Sequence, residues 1–278
     1  MFQPAIPISG YGGWKFLQST YDRQLQTHSD SAQIKADRAY LADKLSKPVT
    51  TEAFLDDKRL LRVALTAFGL SGEEWKRGFI DKVLKEVATP DSNFLARLNN
   101  SKYTAFAQAF KPVNGTITLT PESLEKLAAD FDTATFATAV GEVDESMRLA
   151  LNFQSEIGGL MGTGSSSETA ILFRLLGNVP VRRVLESALN LPKEMTKLSI
   201  DKQAEFLKSS LEKRFGISDI TEIASSENVE KMIRTFHAMQ SISNSASSYS
   251  PAANALTLLN GGMGLGGQGG INLLLSGL

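Results

Sequence analysis

A short pattern of residues occurs twice in this chain, and the repeat constrains the fold more than any other feature of the sequence. Residues 62–71 and 183–192 carry Arg, Val, Ala and Leu at the same spacing, 121 positions apart. A weaker echo follows, because Ile-Asp-Lys occurs at residues 80–82 and again at 200–202. The matched positions are mostly packing residues, and no catalytic group recurs with them. The repeat predicts two related helical units and leaves duplication and coincidence both open as its origin.

The composition of the chain excludes several kinds of function. Lys and Arg number 29 and Asp and Glu number 30, so the net charge of −1 gives no overall attraction to nucleic acid or to an anionic membrane. Cysteine is absent, which rules out disulfides, thiolate nucleophiles and cysteine-ligated metal sites. With 278 residues, the chain is long enough to bury a large core in one or two domains.

Apolar residues recur at helical spacing through most of the chain. Trp14, Leu17, Tyr21 and Leu25 begin this pattern, and only residues 116–120 alternate as a strand would. The predicted fold class is therefore all-α, a multi-helix bundle of two similar helical units with flexible N- and C-terminal tails. The predicted divisions are a flexible N-terminal tail at residues 1–13, a first helical unit at 14–157, a second unit packed on the first at 165–242, and a Gly/Ser-rich flexible C-terminal tail at 243–278.

Local signals predict where several helices begin and end. Gly69 is expected to end a strongly apolar helix. Residues 71–74 and residues 165–168 each have the spacing of a capping box, which predicts a helix start at each. The helical pattern over residues 121–157 is expected to break or kink near residues 133–141, where threonines and a glycine lower helix propensity.

Each candidate site for chemistry lacks a required group. Residues 159–166 resemble a phosphate-binding P-loop, but Ser165 stands where the lysine belongs and no strand precedes the loop. His28 and His237 are the only histidines, and neither lies in a two-histidine helical metal motif. No Gly-x-Ser-x-Gly nucleophile elbow occurs. The sequence therefore predicts no catalytic, cofactor-binding or metal-binding residues.

The N-terminal residues do not form a normal secretory signal. They contain no basic region, and Pro4, Pro7 and Gly10 interrupt any apolar run. No stretch has the roughly 20 apolar residues that a membrane-spanning helix needs. Two locations stay open: the cytoplasm, or export without a cleaved signal peptide, which the lack of cysteine also suits.

Several stretches of the chain together match one known family. They span about residues 8–240, and the run from Asp56 to Leu70 is the most specific of them. The matching stretches are residues 10–17, 56–70, 79–84 and 97–98, Tyr103, Phe110, and residues 147–151 and 188–192. The chain thereby resembles a bacterial, mostly helical domain family of unknown function that is often linked to flagellar genes. The resemblance implies no catalytic residues.

The resemblance implies a flagellum-associated, non-enzymatic structural or assembly protein that acts through protein–protein contacts. Its partners are expected to be other flagellar or export-apparatus proteins, with no nucleic acid and no membrane span, and an oligomer is compatible with the sequence. A cytoplasmic chaperone or regulator of flagellar export is one alternative, and an enzyme of unknown substrate is another. The expected location is the flagellum, or outside the cell after export, with the cytoplasm as the alternative.

The C-terminal tail holds the candidate partner-binding residues. Its composition is rich in Gly and Ser, yet apolar residues recur within it. A tail of this kind commonly folds against a partner. The candidate residues are Leu256, Leu258, Leu259, Leu273, Leu274 and Leu275.

Overall fold

The chain is built almost entirely from helices, which confirms the predicted all-α class. This computed structural model describes residues 2–89, 92–98, 100–162 and 166–248.

The helices of the described residues follow one another with short connections. The N-terminal series consists of α1 (Gly10–Ser29), α2 (Ala32–Leu45), α3 (Thr51–Asp56), α4 (Lys58–Ala67), α5 (Arg77–Ala88), α6 (Phe94–Leu98) and α7 (Ser101–Ala109). The C-terminal series consists of α8 (Pro121–Val143), α9 (Glu145–Leu160), α10 (Glu168–Gly177), α11 (Val179–Ala188), α12 (Ile200–Phe215) and α13 (Ser226–Ser248). Three 3₁₀ helices lie between them at Glu74–Lys76, Lys193–Lys197 and Ile220–Ala224.

Extended pairing in the described part of the chain is limited to one short ladder. Strand β1 (Val49–Thr50) pairs antiparallel with β2 (Thr116–Ile117), and Val49 lies opposite Ile117. The alternating stretch predicted at residues 116–120 is therefore a strand over its first two residues only.

Buried apolar side chains form two cores. The first core contains residues of α2 to α8, ending at Phe131. The second core contains Trp14 and Leu17 of α1 and then residues from Phe136 in α8 to Phe236 in α13. The division between the cores thus falls inside α8, whereas the predicted division lies between residues 157 and 165. Phe131 and Phe136 are five residues apart, so they project from different sides of one continuous helix.

The order of helices is repeated, as the sequence repeat predicts. We call α2–α8 unit 1 and α9–α13 unit 2. In unit 1 the third helix, α4, packs against the first helix α2 and the last helix α8. In unit 2 the third helix, α11, packs against the first helix α9 and the last helix α13 in the same way. α8 and α13 have the same length, 23 residues each.

The two matched segments are α4 and α11, and their ends have the same geometry. Asp57 caps α4 by accepting a hydrogen bond from the backbone N–H of Leu60, 2.9 Å away. Asn178, 121 positions later, caps α11 by accepting from the N–H of Val181 at 3.2 Å. Gly69 and Asn190, also 121 apart, end the two helices in the left-handed region with φ of +66° and +47°. Left-handed residues of this kind commonly end helices.

The weaker sequence echo does not mark equivalent positions. Ile80 is fully buried in α5, whereas Ile200 is exposed at the start of α12. The buried stripe of α12 instead begins at Ala204 and continues through Leu207 and Leu211. The true correspondence between α5 and α12 is therefore shifted by about one helical turn.

The ends of the described chain differ from the predicted tails. Residues 2–9 lie outside any helix or strand, but the side-chain amide of Gln24 holds them. Its oxygen accepts from the backbone N–H of Ala5 at 2.7 Å, and its nitrogen donates to the Ala5 carbonyl at 3.2 Å. Phe2 packs edge-on against His28, with 5.3 Å between the ring centroids. α1 begins at Gly10, four residues before the predicted start at Trp14. At the other end, α13 continues to Ser248, past the predicted boundary at residue 242.

Three predicted helix boundaries are wrong. Residues 71–74 do not start a helix, because Gly72 turns the chain at φ +81° and α5 begins only at Arg77. α10 begins at Glu168 with Ser167 as its cap, later than the capping-box spacing predicts. α8 does not break at residues 133–141; the break lies at Asp144, which caps α9 by accepting from Ser146 N–H at 2.8 Å.

Candidate functional site

The predicted partner-binding leucines, at positions 256, 258, 259 and 273–275, lie outside the described residues. Within the described residues, the features that could form a site are exposed apolar side chains, surface cavities and buried polar groups. In that part of the chain, no three His, Asp or Glu side chains come close enough together to hold a metal ion.

The glycine-rich loop predicted to be a cap rather than a P-loop follows a helix, not a strand. Gly158 and Gly159 belong to the last turn of α9. The guanidinium of Arg174 donates to the carbonyls of Leu160 and Met161, at 2.8 and 3.1 Å, and so satisfies two of the acceptors that end the helix. Residues 163–165 of this loop lie outside the described residues.

A buried ion-pair cluster ties α2 to α4 in unit 1. Arg59 and Arg62 of α4 bind the two oxygens of Asp37 in α2, at 2.9 and 3.0 Å. Burial opposes ionisation of Asp37, but hydrogen bonds from Gln33, Arg62 and Arg59 outweigh it and lower the pKa of this carboxyl. Both carboxylate oxygens of Asp37 accept hydrogen bonds from neighbouring side chains, so we interpret the cluster as a structural link between α2 and α4.

Both units expose large apolar side chains at the same place, the connection between their third and fourth helices. In unit 1 this connection carries Trp75, which is 78% exposed. In unit 2 the connection carries Leu198, and Ile200 is the first residue of the helix that follows; they are 42% and 43% exposed. We call these three residues the apolar connections. The ammonium of Lys76 lies 5.3 Å from the centre of the Trp75 ring and leaves most of the indole open.

A cavity of about 280 Å³ lies where the starts of α1 and α9 meet the C-terminal part of α13. We call it the junction pocket. Hydroxyl, amide, carboxylate and imidazole groups predominate among its lining side chains. The lining residues are Ser9, Gly10, Asp144, Glu145, Ser146, Leu149, His237, Gln240 and Ser241.

His237 forms the floor of the junction pocket. It is 1% exposed, and neither ring nitrogen has a hydrogen-bond partner among the described residues. Its ring packs between Trp14 and Phe236, with centroid distances of 6.1 and 5.2 Å. Burial lowers the pKa of His237 to about 4, against a smaller opposite effect of the Asp144 charge. The ring is therefore neutral at pH 7, with one nitrogen donating and the other accepting.

The other histidine has a partner and a different setting. His28 Nε2 lies 3.0 Å from the hydroxyl of Thr135, and its ring packs against Phe2 and Phe136. Burial lowers the pKa of His28 as well. Both histidines are thus buried residues.

Three exposed apolar residues are sequence neighbours of residues that line the junction pocket. Ile8, Val143 and Ile242 each directly adjoin a lining residue in sequence, and they are 57%, 36% and 61% exposed. The acidic lining groups are engaged: Asp144 caps α9, and Glu145 pairs with Arg148 at 2.6 Å. The pocket thus has a neutral imidazole at its floor, and exposed apolar residues stand next to its lining residues in sequence.

A second, more open depression of about 420 Å³ lies between α5 and α6. Lys82 lies over the ring of Phe94 there, 4.5 Å from its centre. The lining of this depression includes Thr89 and Ser92.

Sequence patterns missed both of these features. Trp75 follows the predicted helix start at residues 71–74, and the structure places it, exposed, in a 3₁₀ turn. His237 is brought to the starts of α1 and α9 by tertiary packing, and no local spacing signals that. The break at Asp144 was the one readable sign, because Asp is a strong helix cap.

Comparison with known proteins identifies a family and a fold. A family described as "protein of unknown function (DUF1217)" matches residues 67–229. The crystal structure of protein AGR_C_984 from Agrobacterium tumefaciens is similar, with a TM-score of 0.67 and 20% sequence identity, over 87% of this chain and 99% of that one. At this identity the likeness shows the fold alone. No curated protein matches the chain. None of the helices in the described residues is long and apolar enough to cross a membrane.

Proposed function

The chain belongs to the DUF1217 family, whose function is unknown, and we propose that it is a non-enzymatic structural or assembly protein of the bacterial flagellum. It acts through protein–protein contacts made by the apolar connections. The proposal has two parts, a mode of action and a location, which rest on different observations.

The repetition of exposed apolar side chains supports the mode of action. Single exposed apolar residues are common on any protein and require no explanation. Here Trp75 in unit 1 and Leu198 with Ile200 in unit 2 occupy the same place in the repeat. Trp is among the residues that contribute most binding energy at protein interfaces. Two related sites on one chain suit a partner that presents its own surface more than once, because the second contact then becomes intramolecular.

The flagellar location is supported by the resemblance of residues 8–240 to a family linked to flagellar genes. The absence of cysteine over all 278 residues suits a protein that passes through an oxidising compartment. Other flagellar or export-apparatus proteins are accordingly the proposed partners, and the flagellum or the exterior is the proposed location.

A deletion with complementation tests both parts. We expect a clean deletion in a flagellated host to impair swimming and the intact gene to restore it. A Trp75→Ser, Leu198→Ser, Ile200→Ser variant should fail to restore swimming, because it removes the apolar contacts from both units. Val113→Ser is the matched control, since Val113 is also exposed but lies outside the apolar connections.

The outcomes separate the two parts of the proposal. Normal swimming after deletion contradicts the flagellar location. Full rescue by the triple variant, with its thermal unfolding unchanged, contradicts binding through the apolar connections. Fractionation distinguishes the export-chaperone alternative: protein in isolated hook–basal bodies or culture fluid supports the proposal, whereas purely cytoplasmic protein with a general export defect favours the chaperone.

A further inference from the structure

The junction pocket contains a polar group that the described residues leave unsatisfied. Buried polar side chains in native proteins nearly always have hydrogen-bond partners, and exceptions call for an explanation such as a bound group. His237 is 1% exposed, lines the pocket, and has no partner on either ring nitrogen among the described residues. The group that pairs with it is therefore expected to enter through the pocket.

The exposed apolar residues that adjoin the lining residues in sequence favour an apolar occupant with few charges. Ile8, Val143 and Ile242 come from three different parts of the fold and are all exposed beside lining residues. Asp144 and Glu145 at the same site disfavour an anion. A cation is not required either, because Asp144 already caps α9 and Glu145 already pairs with Arg148.

We propose that the junction pocket is a docking site for residues 250–260 of this same chain, which bind as a short helix. This inference goes beyond the proposed function, because it concerns a different surface and a partner within the molecule.

The sequence of residues 250–261 has the signals of a short helix. Ser250 is a preferred cap, Pro251 is preferred at the first helical position, and Gly261 is preferred just beyond the end. Ala252, Ala255, Leu256 and Leu259 recur at i, i+3, i+4 and i+7 and form one apolar stripe.

The chemistry of this segment matches that of the pocket. Residues 249–278 contain no Asp, Glu, Lys, Arg or His side chain, so docking near Asp144 and Glu145 brings no side-chain charge into the pocket. The apolar stripe matches the exposed side chains of Ile8, Val143 and Ile242 in chemistry. In the proposed helix Asn260 would fall beside the stripe, and an amide can both donate to and accept from the neutral ring of His237.

The attachment point of the segment brings it within reach. α13 ends at Ser248, six residues after Ile242, which is about 9 Å along the helix. A helix of ten residues that turns back after Ser248 is about 15 Å long, so it reaches past the level of Ile242 toward the floor of the pocket. Helix–helix connections of two or more residues are common in bundles.

The repeat contains a precedent for this turn. α8 in unit 1 corresponds to α13 in unit 2, and α8 is followed after the single residue Asp144 by α9, which packs back against it. Residues 250–260 follow α13 as α9 follows α8. Docking of this segment gives the last helix of unit 2 the neighbour that the last helix of unit 1 already has.

Disulfide trapping in the full-length chain tests the proposal. Because the chain has no native cysteine, the two introduced cysteines are the only thiols that can react. The test variant carries Val143→Cys with Leu259→Cys, and the matched control carries Val113→Cys with Leu259→Cys. Under mild oxidation we expect the test pair to form an intramolecular disulfide at least ten times faster than the control pair. Equal rates overturn the proposal. A disulfide-linked dimer as the main product also overturns it, because the occupant is then a second copy.

Hydrogen exchange provides a second readout that needs no cysteine. Leu256→Ser with Leu259→Ser should speed amide exchange at residues 237–242 at least several-fold. The matched variant Leu273→Ser with Leu274→Ser should leave it unchanged. Unchanged exchange in the first variant, or an equal effect in both, overturns docking by residues 250–260.

Discussion

The third helices of the two units, α4 and α11, share their ends and differ along one face. Asp57 and Asn178 cap their starts, and Gly69 and Asn190 turn the chain at their ends. Between these points, Leu61 and Leu65 are buried in α4. Their counterparts 121 positions later are Arg182 and Glu186, which form an ion pair at 2.6 Å.

The difference follows from what surrounds each helix. α4 packs against α2, α3 and α8, whereas α11 packs against α9, α10 and α13. Six of the ten residues of α4 are buried but only four of the ten residues of α11, so α4 is the more completely enclosed helix. The comparison shows that α4 and α11 keep the same kind of cap although their neighbours differ. On the face where they differ, α4 has buried leucines and α11 has an ion pair.

The largest expected effect tests this difference in enclosure. Leu65→Ala should lower the free energy of unfolding by about 2–5 kcal/mol, because it removes a fully buried leucine side chain. Glu186→Ala at the equivalent position should cost less than about 1 kcal/mol, since it breaks a partly exposed ion pair. Chemical denaturation measures both. Similar costs for the two variants contradict the idea that the helices differ in enclosure.

Acidification should affect the two cores in different pH ranges. The unfolded chain protonates His237 near pH 6.5, but the folded chain does so only near pH 4, so the second core loses stability as the pH falls through this range. The loss should be about 3 kcal/mol, and His28 adds to it in the same direction. The pKa of Asp37, at the first core, is lowered by folding. The stability that Asp37 contributes to the folded state is therefore lost only when the pH falls below 3.8, the ordinary pKa of an aspartate.

Thermal unfolding from pH 8 to pH 3 measures these two ranges. His237→Phe is the control, because it keeps a ring of similar size and removes the proton-binding site. The variant should lose most of the pH dependence between 6.5 and 4 and keep the part below 4. An unchanged slope in the variant shows that His237 is not the group responsible.

The smallest expected effect tests the shared helix ends. Gly69→Ala should cost about 1–2 kcal/mol, because its backbone at φ +66° disfavours any residue with a Cβ atom. Asn190→Gly should change stability by less than about 0.5 kcal/mol, because Asn already tolerates this conformation. Urea denaturation resolves the pair. If both variants change the free energy of unfolding by the same small amount, the backbone at the end of α4 adapts to a side chain as the backbone at the end of α11 does.

Sequence patterns predicted the fold class and the repeat because both depend on short-range periodicity. The turn at Gly69 belongs to the same kind of information, since it is a local backbone signal. The true boundary between cores was not predictable in this way. It lies within α8, and whether Phe131 and Phe136 enter the same core depends on which distant helices lie beside them.

The candidate sites were even less accessible to sequence reasoning. Nothing in the spacing around Trp75 distinguishes an exposed indole from a buried one. The pocket over His237 assembles residues 9–10, 144–146 and 237–241, which are far apart in sequence. Only the leucines of the C-terminal tail were identified as candidates from composition, and their role stays a prediction.

One consequence of α8 concerns how the molecule can be taken apart. Because the same helix supplies Phe131 to one core and Phe136 to the other, cutting the chain anywhere in α8 leaves an apolar surface uncovered on both fragments. The two units are therefore not separable modules that recombination could exchange freely.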